Sequence, residues 1–197
     1  MQNTIKHEMR GVLIFVAVIW TLFLLNLVTP IEFNNWGLTP RTLKGLFGIV
    51  TAPFLHGDFG HLISNTIPLV ILLTLMAGSR TRTWETVAEV IVAGGVLLWI
   101  FGRNGTATLP TIHVGASGLV YGLIAFLMGA GFREKRIIPM LIAVLVGFLY
   151  GGTLIAGVIP TSEGNMSWDG HLCGAIAGGA LAFFTLGREG SKSKSSD

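Results

Sequence analysis

The stretch His113-Val114-Gly115-Ala116-Ser117-Gly118 stands at the head of an apolar run, 117–131, and the reading of that run decides the fold. A hydroxyl flanked by glycines at the mouth of a water-soluble helix would be ordinary. Working outward, however, the run has five companions, at about 11–28, 62–78, 87–102, 137–159 and 171–187. Charged residues make up 12% of the 197, against about 25% in a soluble domain, and 51% are hydrophobic. The mean hydropathy is +0.70. Crossing a bilayer takes about 20 mostly apolar residues. The first and fifth runs pass comfortably. The third and fourth are short, which predicts helices that are tilted, flanked by semi-polar turns or enclosed by the others. The composition therefore predicts an all-α, polytopic membrane protein of six spans.

Lys6 and Arg10 precede the first run as they would in a signal peptide. The run is longer than the roughly 7–15 residues of a signal core and no small-residue cleavage site follows, so it reads as a retained helix. The single cysteine, Cys173, allows no internal disulfide. The net charge of +3 is no nucleic-acid signature, because the basic residues lie in loops and tails. No P-loop, dinucleotide fingerprint or CxxC is present.

Orientation follows from Lys and Arg in the short connections. With the N-terminus cytoplasmic, ten basic residues fall inside: Lys6, Arg10, Arg80, Arg82, Arg133, Lys135, Arg136, Arg188, Lys192 and Lys194. Three fall outside, Arg41, Lys44 and Arg103. Both termini are therefore expected in the cytoplasm. The expected organisation is a cytoplasmic segment at 1–10, a six-helix membrane domain at 11–187 and a polar cytoplasmic tail at 188–197. Spans two, four and six then run from outside to inside, and their heads share the outer side. The connection at about 29–60 is too long for a turn and rich in Pro, Trp and Phe, so short helices are expected there.

Those three heads carry the polar residues. His61 and Asn65 are four apart and share a helix face, with Asp58 placed to cap the helix. One reading of this pair is interhelical hydrogen bonding. Another is a metal held by His56, His61, His113 and His171, although no HExxH occurs. Ser117 is either a small packing residue or a nucleophile. GxSG is common by chance, and with Leu119 it is not the GxSxG elbow. In a first helical turn, though, its neighbours' free N–H groups and the helix dipole favour developing negative charge. In the last span, Gly174 and Gly178 form GxxxG and permit close helix approach. With the fourth span as the partner, His171 reaches Ser117 and can serve as its base. Asp169 is open to two roles, completing a triad or capping the last helix. Cys173 reads as a buried small hydrophobe.

The ordered set resembles the rhomboid intramembrane serine proteases over about residues 36–187. The matching motifs are His56, His61 and Asn65 in the second span, Gly115, Ser117 and Gly118 in the fourth, and His171, Gly174 and Gly178 in the sixth. The resemblance implies a six-transmembrane-helix bundle and a protease working through a Ser117–His171 dyad without an aspartate. It implies that His61, Asn65 and the Ser117 N–H line the oxyanion hole, and that Tyr121 stacks on His171. Gly115 would give close backbone approach and His56 would support the entrance to the second span. Substrates would be transmembrane proteins with helix-destabilising residues, cut without metal or cofactor. The setting would be the plasma membrane, with the active site towards the outer side and the loop 160–168 capping it. One departure is visible: Phe47-Gly48 stands where many members carry Trp-Arg. A non-catalytic rhomboid-like binder or a small transporter is the rival reading, and a metal-dependent membrane hydrolase a third.

Overall fold

In lipid, backbone N–H and C=O groups must be satisfied within the chain, so apolar runs of this length become helices unless they close into a barrel. The computed structural model describes residues 2–79, 82–106, 110–160 and 167–192, without side chains at 2–4 and 187–192. It is helical throughout: α1 (Gln2–Val28), α2 (Leu43–Thr51), α3 (Phe59–Ser79), α4 (Thr83–Phe101), α5 (Ser117–Glu134), α6 (Ile137–Gly157) and α7 (Trp168–Lys192). Two single 3-10 turns, Phe33–Trp36 and Ala52–Phe54, flank α2. Among the described residues β pairing is confined to two isolated bridges, Leu38–His113 and Gly105–Pro110.

Among the described residues five helices, α1, α3, α4, α6 and α7, are long and apolar enough to cross a membrane. The chain is a multi-pass membrane protein. The third run proves longer than its apolar part suggested. Helix α4 starts at Thr83, ahead of the charged Glu85, and reaches 19 residues. The fourth run, now α5, falls outside the five. It packs against α3, α4, α6 and α7, and Leu119, Val120, Leu123, Ile124, Phe126 and Leu127 are all buried. An enclosed helix can be short and glycine-rich because its neighbours, not lipid, surround it. The outer helices carry the exposed apolar side chains instead, such as Leu13, Phe148 and Phe184.

The tightest seam is α5 against α7. A Cβ at Gly174 would overlap the Gly118 carbonyl, and one at Gly178 would overlap the Gly122 carbonyl. On the far side Gly94 of α4 comes close to Gly174 as well. Small residues here let backbones meet, so dispersion over the contact replaces a hydrophobic force that lipid does not supply.

The long first connection contains α2, as its composition led us to expect, and folds back onto the bundle. Thr42 caps α2 by accepting the Gly45 N–H at 3.0 Å. Arg41 closes the end of α4: its guanidinium donates to the carbonyls of Ile100 at 3.0 Å and Gly102 at 2.8 Å. These are among the carbonyls a helix end leaves open. Leu38 pairs with His113 through bonds of 2.9 and 2.8 Å. This connection thereby braces the segment ahead of α5. Just before α3, His56 is fully buried, and among the described residues its ring nitrogens make no well-formed hydrogen bond, the Phe54 backbone being the nearest candidate. The His56 carbonyl accepts from Asn34 at 3.2 Å. Burial first, and the neighbouring His61 second, push its pKa from 6.5 down to about 4.

Two outcomes follow from this packing. Gly178→Leu should destabilise the bundle by at least about 1–3 kcal/mol, read as a lower thermal midpoint in detergent, whereas Gly179→Ala, where a Cβ meets open space, should not. For His56, the unfolded chain takes up a proton near pH 6.5 and the folded one only near 4. The unfolded state binds more protons in that window, so stability is full above pH 6.5 and is lost as pH falls towards 4. The thermal midpoint should decline on acidification through that range, and His56→Gln should flatten the decline.

Candidate active site

Three helix heads meet at one cavity, and local chemistry sets each. At α3, Asp58 Oδ1 accepts the His61 N–H at 2.8 Å and so fixes where the helix starts. This start places His61 and Asn65 one turn apart on one face. Asn65 is buried and its Nδ2 donates to the His61 carbonyl at 2.8 Å. An amide nitrogen carries two hydrogens, so one N–H of Asn65 is left over.

At α5, the turn depends on Gly115, which sits at φ 114°. Side chains rarely adopt that conformation, and a Cβ there would also run into the His61 ring. The Gly115 N–H donates to the Ala52 carbonyl at 2.9 Å. The turn delivers Ser117 as the first residue of α5, where helix N–H groups lack intrahelical partners and the positive dipole end lies.

At α7, the glycine seam brings His171 against α5. Its ring stacks on Tyr121, one turn below Ser117, with centroids 4.1 Å apart and planes 7° off parallel. Tyr121 is held in turn by its hydroxyl, which donates to the Thr153 carbonyl at 2.9 Å. His171 Nδ1 lies 2.9 Å from the Gly157 carbonyl at the end of α6. A carbonyl only accepts, so Nδ1 carries the hydrogen and Nε2 of the neutral ring keeps the lone pair. Gly157 is tied twice, because a Cβ there would collide with the Tyr121 hydroxyl.

Ser117, His171, His61, Asn65 and Tyr121 all line a cavity of about 820 Å³. Pro68, Val120, Ile124 and Tyr150 give it an apolar flank, a mixture usual in ligand sites. His56 touches His61, ring centroids 5.1 Å apart, but does not line the cavity.

One sequence expectation needs correction. Asp169 neither approaches His171 Nδ1, whose partner is Gly157, nor caps α7. Two residues along a helix turn a side chain to nearly the opposite side. Asp169 instead takes the Arg103 N–H at 2.8 Å and its guanidinium at 3.2 Å. The cap is Ser167, whose hydroxyl accepts the Gly170 N–H at 3.3 Å and whose carbonyl accepts the His171 N–H at 3.0 Å. The four-histidine metal reading also finds no support among the described residues, which hold no cluster of three or more His, Cys, Asp or Glu. His113 is engaged elsewhere, by Ser167 Oγ at 2.7 Å and the Arg103 carbonyl at 3.1 Å. Cys173 is buried among Leu38, Ala52 and Leu98. Residues 161–166 of the loop expected to cap the site lie outside the described residues.

Sequence reasoning missed Gly157, Thr153, Arg103 and Ser167. The first two act through backbone carbonyls, which leave no mark in a sequence. The Arg103–Asp169 pair spans 66 positions. Only Ser167, a small hydroxyl directly ahead of an apolar run, carried a readable signal.

Comparison with known proteins identifies the family. The family model described as "Rhomboid domain" matches residues 44–188. An uncharacterized protein of Mycobacterium leprae (strain TN) is 39% identical over 176 residues, covering 87% of this chain and 69% of its own. An uncharacterized protein of Mycobacterium tuberculosis (strain H37Rv) is 37% identical over 175 residues, covering 87% and 72%. A Bacillus subtilis (strain 168) protein named "Putative rhomboid protease YdcA" is 25% identical over 175 residues, covering 86% and 84%. With a family model matched over most of its length and relatives of this identity and coverage, the chain belongs to the rhomboid family.

Proposed function

We propose that this protein is an intramembrane serine endopeptidase that cleaves transmembrane segments of membrane proteins through Ser117 and His171. One observation carries the reading. Ser117 and His171 line the same cavity, while the Tyr121 stack and the Gly157 carbonyl hold the imidazole with its lone pair on Nε2. A serine hydroxyl alone is a poor nucleophile, and an oriented neutral imidazole is what activates it.

The chemistry runs in two halves. His171 Nε2 takes the Ser117 proton as Oγ attacks the scissile carbonyl, whose π electrons move to oxygen. The oxyanion is met by the Ser117 N–H, the spare N–H of Asn65 and the His61 ring. On collapse the C–N bond breaks, and His171 returns the proton to the leaving amine. Water then repeats the sequence on the acyl-serine and frees the new carboxyl group and the hydroxyl. A helix hides its carbonyls in hydrogen bonds, so the substrate must unwind locally. This requirement selects segments with Gly or Pro near the cut. The 10-to-3 charge bias supports six spans, both termini in the cytoplasm and a cavity open to the outer side of the plasma membrane.

Ser117→Ala and His171→Ala should each lower cleavage of a reporter transmembrane substrate on the order of 10⁴-fold or more. Fluorophosphonate should label the wild type and not Ser117→Ala. Full activity in either variant removes the dyad, and absence of labelling in the wild type favours the binder reading. Chelator should leave the rate unchanged, whereas loss of activity would return the metal hydrolase. Asn65→Ala should lower kcat by roughly 10²–10³.

A further inference from the structure

Resting on the serine–histidine reading above, we propose that Arg103, His113, Ser167 and Asp169 form a polar clasp that positions the two halves of the dyad against each other. Asp169 is a buried carboxylate at the head of a membrane helix, where a charge persists only if partners meet it. Two donors do, the Arg103 N–H at 2.8 Å and the Arg103 guanidinium at 3.2 Å, and Ser167 Oγ lies 3.2 Å from the carboxylate. The guanidinium also lies over the Trp168 ring, 5.1 Å from its centroid. His113 is equally buried. Its Nε2 faces the Arg103 carbonyl and therefore carries the hydrogen, which leaves Nδ1 to accept from Ser167 at 2.7 Å. Burial lowers its pKa, against the opposing pull of Asp169.

The clasp joins the two segments that hold the dyad. His113 lies four residues before Ser117, and its backbone is fixed in both directions by Leu38. Ser167 lies four residues before His171 and holds the His171 N–H through its own carbonyl. Shifting Ser167 therefore shifts the start of α7 and the imidazole with it. Gly170 fits within this clasp only for want of a side chain, since a Cβ there would sit 2.5 Å from Ser167 Oγ. None of the four residues needs to touch the reacting atoms. They act by placing those that do.

The test uses the full chain, purified in detergent, with kcat, KM and thermal midpoint measured together. Asp169→Asn keeps the shape and removes the charge. A displacement of the base by about 1 Å costs on the order of a hundredfold in rate, so kcat should fall by about ten- to a hundredfold with KM unchanged. Asp169→Glu, which keeps the carboxylate, should recover part of that loss. If Asp169→Asn does not fold, Ser167→Ala removes the bond to His113 and the cap of α7 while keeping the Arg103 pair, and should lower kcat in the same direction. A lower thermal midpoint with wild-type kcat per folded molecule in these variants would overturn the clasp. That result alongside an inactive Ser117→Ala sinks the clasp alone, whereas an active Ser117→Ala sinks the dyad reading itself.

Discussion

The contact between α5 and α7 is the constraint on which the site depends. Helices in lipid gain little by hiding apolar surface from one another, so association rests on fit. Here the fit is backbone against backbone, with Gly174 and Gly178 resting on the carbonyls of Gly118 and Gly122. Such proximity lets a residue on α7 stack flat on a residue of α5, as His171 does on Tyr121. With larger side chains in the seam the two heads would stand apart, and the polar groups would face each other across a gap.

Much of the positioning is done by main-chain atoms. The Gly157 carbonyl selects the histidine tautomer, the Thr153 carbonyl anchors Tyr121, and the Ala52 carbonyl holds the turn at Gly115. The Thr153 and Gly157 acceptors lie in the last turns of α6 and Ala52 in the connection ahead of α3, and a carbonyl oxygen has two lone pairs, so each can take a donor beyond any helical one. An imidazole, a phenol or an amide bonded to such a carbonyl is held in one orientation. The same bonds that complete the fold thus orient the site.

The sequence made some of this legible and concealed the rest, for physical reasons. The outer helices could be read because lipid demands long apolar runs, and the polar heads stood out against them. The GxxxG of α7 and the GxSG of α5 could be read because each involves residues close in the chain. The enclosed α5 was harder, since a helix surrounded by protein need not satisfy the length and hydropathy that lipid imposes. Asp169 fills neither of the two roles its position left open, because its neighbour Ser167 caps the helix and Arg103, from another connection, takes the carboxylate. Pairings across such separations depend on how the chain returns, which local pattern does not encode.

Gly157 illustrates a wider consequence. Its carbonyl orients His171 and its missing side chain makes room for Tyr121, yet it has no functional group of its own. A saturation mutagenesis of this chain would score position 157 alongside Ser117 and His171, the proposed dyad. The sensitivity would arise from the absence of atoms, so the position would look chemical in such a data set while being purely spatial.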